Sequence, residues 1–356
     1  MLSGGGTLGP AVPLLAIAEI YSKTNPDAEF IWIGTKNGPE KELVETYGLK
    51  FIPIGAGKLR RYFSYLNILD FFKIFIAFFQ SLYYLIRYRP CLVISAGGYV
   101  SVPLHFAAAL LGIRSWIHQQ DARVGMSNRL MAPLAKVITV ALASNQAKFN
   151  PKKTLWLGNP IRPGLLQGDA DKARVEFGLR ADLPVVFVTG GGTGSEKVNL
   201  MVVEALESLR GLCQIVHLTG KERSSEKTQG AQRLYPDYHP VAFVTSQMKD
   251  LYAVADIVVS RGGFGTISEI AALGKAAIII PKSGHQEENA KLLKKEGAVM
   301  VLDEDMDGGL QLGSMLTELL TQKARCQELG ARLRSVLPPA DPKKIIEVLN
   351  FLLKKS

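Results

Sequence analysis

Ser260-Arg261-Gly262-Gly263-Phe264-Gly265-Thr266-Ile267-Ser268-Glu269-Ile270-Ala271-Ala272-Leu273-Gly274-Lys275, followed by Ile278-Ile279-Ile280-Pro281, is the stretch that decides the fold. It reads as a glycine loop after the apolar strand 257–260, then a helix, then a second apolar strand. Glycines let backbone approach a diphosphate, while Thr266 and Ser268 open a helix whose positive end faces it. Glu269 then lies one turn into the helix. A carboxylate there can accept two hydrogen bonds from the adjacent hydroxyls of a ribose. Its plain structural role, a negative charge near a helix N-terminus, is worth only about 0.3 to 1 kcal/mol.

The same punctuation extends in both directions. Short apolar runs at 30–33, 51–54, 92–95, 116–117 and 137–140 alternate with helical patterns in the first half. Runs at 185–189, 215–218, 241–244, 257–260, 277–280 and 300–302 do so in the second. Strands that are apolar throughout imply parallel sheets covered by helices on both faces. The expected fold is therefore α/β, with two Rossmann-like doubly wound domains facing a cleft. At 356 residues the chain exceeds what one core supports. The boundary falls in Gly158-Asn159-Pro160-Ile161-Arg162-Pro163-Gly164, whose two prolines and two glycines suit a hinge. Domains are read as 1–160 and 161–340, with a last helix at 341–356 that could pack on either. Only Met1 and Leu2 precede the first glycine loop, so the first strand is expected to be clipped, with the true start upstream.

Three further glycine loops follow strands. The first, Gly4-Gly5-Gly6-Thr7-Leu8-Gly9-Pro10, runs into an apolar helix, where free N–H groups and the helix dipole make an anion site. The second is Ala96-Gly97-Gly98-Tyr99-Val100-Ser101, and the third is Thr189-Gly190-Gly191-Gly192-Thr193-Gly194-Ser195. A single such loop is as readily a plain turn; three at carboxyl strand ends point to ligands. None matches G-x-x-x-x-G-K-[ST], and no acid is placed for a dinucleotide ribose, which argues against ATPase and NAD chemistry. Gly284-His285-Gln286-Glu287-Glu288-Asn289-Ala290 starts another helix past a strand end, where His285 and Gln286 could read sugar hydroxyls or simply be solvated.

The formal charge of +10 could serve nucleic acid, anionic lipid or diphosphate ligands. Its distribution favours lipid. Lys50, Lys58, Arg60, Arg61, Lys73, Arg87 and Arg89 surround the most hydrophobic stretch, against the single acid Asp70. Between Arg60 and Arg89, the side chains of Tyr62, Phe63, Leu66, Leu69, Phe72, Phe75, Phe79, Leu82 and Ile86 form an apolar series with cationic ends, as in a helix lying on anionic lipid. A core helix would explain part of that surface but not the flanking charge. Residues 74–86 are uncharged for only 13 positions, short of a bilayer span. No signal peptide is visible, and the three cysteines, Cys91, Cys213 and Cys326, lack disulfide or zinc spacing, so a reducing cytoplasm is expected.

Taken together, these motifs resemble the MurG family of N-acetylglucosaminyltransferases, which act on undecaprenyl-pyrophosphoryl-MurNAc-pentapeptide. The resemblance covers essentially the whole chain. It rests on the opening loop with Thr7, Gly97-Gly98-Tyr99-Val100-Ser101, His118-Gln119-Gln120-Asp121 with Asn128-Arg129, Gly158-Asn159-Pro160-Ile161-Arg162, the loop 190–194, the signature 261–269, His285-Gln286 and Asn289-Ala290. It implies a GT-B type glycosyltransferase of peptidoglycan synthesis, peripheral on the cytoplasmic face of the cell membrane. It further implies inverting transfer of GlcNAc from UDP-GlcNAc to the MurNAc C4 hydroxyl of lipid I, giving lipid II.

By that resemblance the second domain holds the donor. Glu269 takes the ribose; Gly263, Phe264, Gly265, Thr266, Ile267 and Ser268 run along the nucleotide and diphosphate; Gly192 and Thr193 lie near the phosphates; His285 and Gln286 meet the sugar. Arg162 assists from the hinge, and the uracil-contacting backbone falls at Val244 or Thr245. Lipid I would sit on the first domain, its pyrophosphate on Thr7, Leu8, Gly9, Gly97, Gly98 and Tyr99. The family commonly has glycine and histidine where Leu8 and Pro10 stand, glutamate at Gln119 and asparagine at Asp121. Proline cannot accept a proton, so Asp121 is the expected base, with His118 and His105 as alternatives. No cofactor and no metal are expected, backbone N–H groups stabilising the departing UDP instead. Other readings are a UDP-galactose-dependent glycolipid transferase, a UDP-GlcNAc 2-epimerase, a catalytically silent sugar-nucleotide-binding protein and, last, a nucleic-acid binder.

Overall fold

The computed structural model describes residues 1–55, 57, 66–191, 194–220, 226–244 and 246–354. It divides into two compact units, Met1–Arg162 with Ala340–Ser356, and Pro163–Pro339.

The first unit runs β1 (Leu2–Ser3), α1 (Ala11–Thr24), β2 (Ile31–Thr35), α2 (Glu40–Thr46), β3 (Lys50–Ile54), α3 (Leu66–Tyr88), β4 (Val93–Ser95), α4 (Ser101–Leu110), β5 (Ser115–Gln119), α5 (Met126–Met131), β6 (Val137–Val140) and β7 (Thr154–Trp156). The second runs α6 (Ala170–Phe177), β8 (Val185–Thr189), α7 (Glu196–Ala205), β9 (Gln214–Leu218), α8 (Glu226–Leu234), β10 (Tyr238–Val241), α9 (Met248–Val254), β11 (Ile257–Ser260), α10 (Phe264–Leu273), β12 (Ala276–Ile279), α11 (His285–Lys295), β13 (Met300–Val301), α12 (Gly309–Thr321) and α13 (Lys323–Val336). The last helix, α14 (Pro342–Leu353), returns to the first unit.

Both sheets formed by the described residues are parallel, in the orders β3-β2-β1-β4-β5-β6-β7 and β10-β9-β8-β11-β12-β13. This doubly wound order places one topological switch point between β1 and β4 and another between β8 and β11. Ser3 pairs with Ser95, and Ser260 with Thr189, so all four glycine loops leave side by side from these central pairs.

β1 is only two residues long, yet it is flanked on both sides, Leu2 pairing with Trp32 and Ile94. The run expected at 241–244 forms its strand earlier, at β10, because the sheet edge ends at Val241 and the chain then turns away. Pro240 is tolerated there since an edge strand leaves one side of its ladder unpaired. α14 chooses the first unit because Ile345, Val348, Leu349 and Leu352 join the core of Leu14, Ile17 and Trp32. Its N-terminus is capped by Asp341, which accepts from Lys343 N at 2.9 Å, and Arg114 donates to Leu352 O at 2.9 Å at the other end.

Candidate active site

In the second unit, the carboxyl ends of β8, β9, β10 and β11 converge on a small cavity of about 80 Å³. Thr189 and Gly191 contribute from β8, Gly220 from beyond β9, Ala242 and Phe243 from beyond β10, Met248 and Tyr252 from α9, and Thr266 and Glu269 from α10. Glu269 is 5% exposed, and Tyr252 Oη donates to its Oε2 at 3.2 Å. Tyr252 is fixed in turn by an edge-on contact with Phe187 at 5.3 Å between ring centroids. The Glu269 carboxylate is thus held at a cavity wall rather than waving in solvent.

α10 begins at Phe264 behind Gly263, whose extended φ of −71° and ψ of 126° leave the helix end without a side-chain cap. The first N–H to bond back is that of Ile267, to Gly263 O at 3.1 Å. The N–H groups of Phe264, Gly265 and Thr266 have no acceptor among the described residues, which is the condition for anion binding. Phe264 and Ile267 bury their side chains, so what they can offer a ligand is backbone. Ser268 differs from expectation: it is buried and its hydroxyl donates to Phe264 O at 2.7 Å. The loop is pressed against α11, since a Cβ on Gly262 would lie 2.7 Å from Gln286 O, and Asn289 Nδ2 donates to Gly262 O at 3.2 Å. His285 is exposed at the start of α11 and Gln286 half-buried beside it. Val244 is buried, and Ala242 and Phe243, just before it, line the cavity. Gly192, Thr193 and Thr245 lie outside the described residues.

Arg261 braces these loops. Its guanidinium donates to Ile280 O at 3.1 Å, to the Glu304 carboxylate and to the Ser195 hydroxyl, joining the ends of β8, β11 and β12. Backbone packing does the rest: a Cβ on Gly194, at φ 72°, would lie 2.4 Å from Thr219 O.

In the first unit, the opening loop and the loop after β4 touch backbone to backbone. A Cβ on Gly98, at φ 93°, would meet Gly5 N and Gly5 O at 2.8 Å, and one on Gly6, at φ 86°, would meet the Tyr99 ring at 2.7 Å. The anion donors here are not those of the helix. Pro10 and Pro13 have no N–H, and Ala11 and Val12 both donate to Leu8 O, at 3.0 and 3.4 Å. The N–H groups of Thr7, Leu8 and Gly9, by contrast, have no acceptor among the described residues. Gln120 Nε2 donates to Gly9 O at 3.1 Å, which sets the segment after β5, with Asp121, beside this loop.

The backbone around Asp121 is fixed. Gln119 Nε2 donates to Asp121 O at 2.8 Å and to Arg123 O at 3.1 Å, and its Oε1 accepts from Asn128 Nδ2 at 2.7 Å. Asn145 Nδ2 adds a bond to Asp121 O at 2.9 Å. A glutamate at 119 could accept from Asn128 but could not donate to the two carbonyls, so the amide at 119 is what ties down the backbone of half-buried Asp121.

His118 does not fit the role of proton acceptor considered for it. It is fully buried, with Nδ1 2.9 Å from Thr139 Oγ1 and Nε2 2.8 Å from Asn159 Oδ1. Asn159 Oδ1 can only accept, so Nε2 carries the proton, and the Thr139 hydroxyl donates to Nδ1 while accepting from Trp116 Nε1. Both nitrogens are used inside the fold, and burial lowers the pKa to about 4 against the opposing effect of the Asn159 bond. His105 is likewise buried, with Nδ1 on Ser101 O at 3.0 Å and a pKa lowered by burial to about 4. Arg162 donates to Tyr47 Oη at 3.2 Å, within the first unit.

Sequence reasoning missed Tyr252, Phe243 and Met248 in the cavity. Only Phe243 left a signal, as a large apolar residue beside the position expected to meet the base.

The glycosyltransferase family 28 N-terminal domain matches residues 1–140, and the family's C-terminal domain matches residues 185–335. A relative from Caldanaerobacter subterraneus subsp. tengcongensis, the UDP-N-acetylglucosamine--N-acetylmuramyl-(pentapeptide) pyrophosphoryl-undecaprenol N-acetylglucosamine transferase, is 33% identical over 361 residues, covering 99% of both chains. The protein of the same name from Treponema denticola is 34% identical over 326 residues, 85% of this chain and 83% of the relative. Among solved structures, MurG of Acinetobacter baumannii superposes with a TM-score of 0.72 at 24% identity, over 99% of this chain and 98% of that one, which shows the GT-B fold. The chain therefore belongs to the MurG family of N-acetylglucosamine transferases, within glycosyltransferase family 28.

Proposed function

We propose that the chain transfers GlcNAc, with inversion, from UDP-GlcNAc to the MurNAc C4 hydroxyl of undecaprenyl-pyrophosphoryl-MurNAc-pentapeptide, converting lipid I to lipid II in peptidoglycan synthesis. The observation that carries this reading is the cavity at the β8/β11 switch point, where the Glu269 carboxylate stands one helical turn from three N–H groups without acceptors. A ribose on Glu269 places the diphosphate at the α10 N-terminus, with the hexose beyond it. The acceptor hydroxyl attacks the anomeric carbon as the bond to the diphosphate oxygen breaks; UDP leaves with the bonding pair, and the hydroxyl proton passes to Asp121. Helix N–H groups stabilise the charge that develops on UDP.

Glu269→Ala is expected to raise KM for UDP-GlcNAc about thirtyfold with kcat little changed, the size of a lost pair of hydrogen bonds to a charged group. Tyr252→Phe, which only frees the carboxylate to move, should raise it about threefold. Steady-state assays with labelled UDP-GlcNAc and a short-chain lipid I analogue read both. Conversion of UDP-GlcNAc without acceptor would instead identify a 2-epimerase, and binding without turnover a silent sugar-nucleotide-binding protein.

Membrane attachment is read from α3. Phe72, Phe75, Ile76, Phe79, Tyr83 and Ile86 are exposed, Phe72 by 60% and Tyr83 by 59%; apart from the adjacent pair Phe75 and Ile76 they recur every three to four residues and line one face. The opposite face buries Ala77, Ser81 and Leu85 and packs on α4, which itself exposes Phe106 and Leu110. Half of the helix is thus core, and half is an aromatic stripe with Lys73 and Arg87 exposed at its margins. Arg60, Arg61, Tyr62 and Phe63 of the same stretch lie outside the described residues. No described helix is long and apolar enough to cross a membrane. This stripe supports a peripheral position on the anionic cytoplasmic leaflet, which would bring the polyprenyl acceptor within reach. Phe75→Ser with Phe79→Ser is expected to weaken binding to phosphatidylglycerol vesicles about tenfold, given the apolar area removed, while transfer to a soluble acceptor is kept. Sedimentation with vesicles measures it, and undiminished binding would refute the attachment.

A further inference from the structure

Glu40 is the first residue of α2, and its side chain is 0% exposed. Its Oε1 accepts from Thr35 N at 2.7 Å and from Thr35 Oγ1 at 2.5 Å, and its Oε2 accepts from Gly6 N at 3.3 Å. Two glycines make room for it. A Cβ on Gly5 would lie 2.4 Å from Oε1, and one on Gly38 would lie 2.0 Å from Oε2. Burying a carboxylate is costly unless donors surround it, and the three donors here are neutral groups rather than a cation. Two of them belong to the residue that ends β2, which would satisfy a purely local helix start. The third comes from 34 residues earlier, in the opening glycine loop. Gly6 immediately precedes Thr7, Leu8 and Gly9, whose N–H groups have no acceptor among the described residues.

We propose that Glu40 is a positioning residue for the acceptor: by holding Gly6 N–H from beneath, it fixes the shape in which Thr7, Leu8 and Gly9 present their N–H groups to the acceptor's pyrophosphate. This rests on the reading that the opening loop receives that pyrophosphate. Glu40 takes no part in the chemistry and touches no substrate; its effect passes through the loop.

Glu40→Gln tests it closely. The amide oxygen can still accept both Thr35 donors, but the amide nitrogen then faces Gly6 N–H, donor against donor, and the loop is pushed away while the fold stands. KM for a short-chain lipid I analogue is expected to rise about tenfold with KM for UDP-GlcNAc unchanged. Thr35→Val removes a donor from the same carboxylate without touching the Gly6 bond; it should lower the melting temperature and leave the acceptor KM alone. An unchanged acceptor KM in Glu40→Gln, or an equal rise in both KM values, overturns the proposal. Gly9→Val separates the two layers. If it raises the acceptor KM and Glu40→Gln does not, only the role of Glu40 falls; if neither variant moves it, the loop is not the acceptor site. Should Glu40→Gln not fold, Glu40→Asp keeps the charge but is one carbon too short to reach Thr35 and Gly6 together, and the same split of KM values decides.

Discussion

Asp121→Asn is expected to lower kcat about a thousandfold and to leave both KM values nearly unchanged, within the 10²–10⁴ range typical of general-base removal. The substitution is isosteric. The anchors that hold this segment, Gln119 Nε2 and Asn145 Nδ2, both bond the Asp121 carbonyl, and neither is lost when the carboxylate becomes an amide. What disappears is the one property the reaction needs, a group that accepts a proton at neutral pH. The hydrogen bond from Gln120 Nε2 to Gly9 O keeps the segment beside the loop proposed to carry the acceptor pyrophosphate. With the pyrophosphate on that loop, a base at Asp121 would meet the C4 hydroxyl of the sugar attached to it. Single-turnover transfer to a lipid I analogue reads the chemical step directly. The pH profile adds a second criterion: the acidic limb of kcat in the unmodified protein should vanish in Asp121→Asn and persist in variants of His118. Normal turnover in Asp121→Asn would remove the assignment.

The reversed placement of amide and carboxylate around this site was visible in the sequence, but its reason was not. Glycine loops are legible because each follows an apolar strand at once, and a backbone requirement leaves a one-letter trace. The doubly wound class follows from the same punctuation, since strands that alternate with helices build parallel sheets covered on both faces. Side-chain partners at long range leave no such trace. Tyr252 reaches Glu269 from 17 residues away, and Glu40 reaches Gly6 across 34. Nothing in either local pattern announces the contact. Ser268 shows the same limit: a hydroxyl near a helix start suits a phosphate, and its bond within its own helix to Phe264 O leaves no mark in the sequence. The position of α14 could not be read at all, because an amphipathic helix states which face it buries and not against what.

Acidification is expected to loosen the first unit. His105 and His118 are buried there, with pKa values lowered by desolvation to about 4, and His217 in the second unit is lowered to about 3. In the unfolded chain each titrates near 6.5. Between these values the unfolded state binds protons that the folded state refuses, so the stability that these imidazoles leave intact is full above about pH 6.5 and falls as the pH drops toward 4. At 1.36 kcal/mol per pH unit, His105 and His118 each cost about 2 kcal/mol at pH 5, hence about 4 kcal/mol in the first unit; in the second unit His217 costs about 2, and His239, also lowered by burial, adds to it. A loss of about 4 kcal/mol changes the folding equilibrium roughly a thousandfold. The chain supplies its own probe, for Trp32, Trp116 and Trp156 all belong to the first unit. Urea unfolding followed by tryptophan fluorescence at pH 7 and pH 5 therefore reports that unit alone. His118→Asn breaks the chain from Thr139 to Asn159 and should be less stable at pH 7, yet its stability should depend on pH by about 2 kcal/mol less over the same interval. An unchanged urea midpoint at pH 5, or an undiminished pH dependence in His118→Asn, would show that the imidazole is not held neutral by its burial. A neutral His118 at physiological pH, with both nitrogens bonded inside the fold, supports the proposal that the proton from the acceptor passes to Asp121.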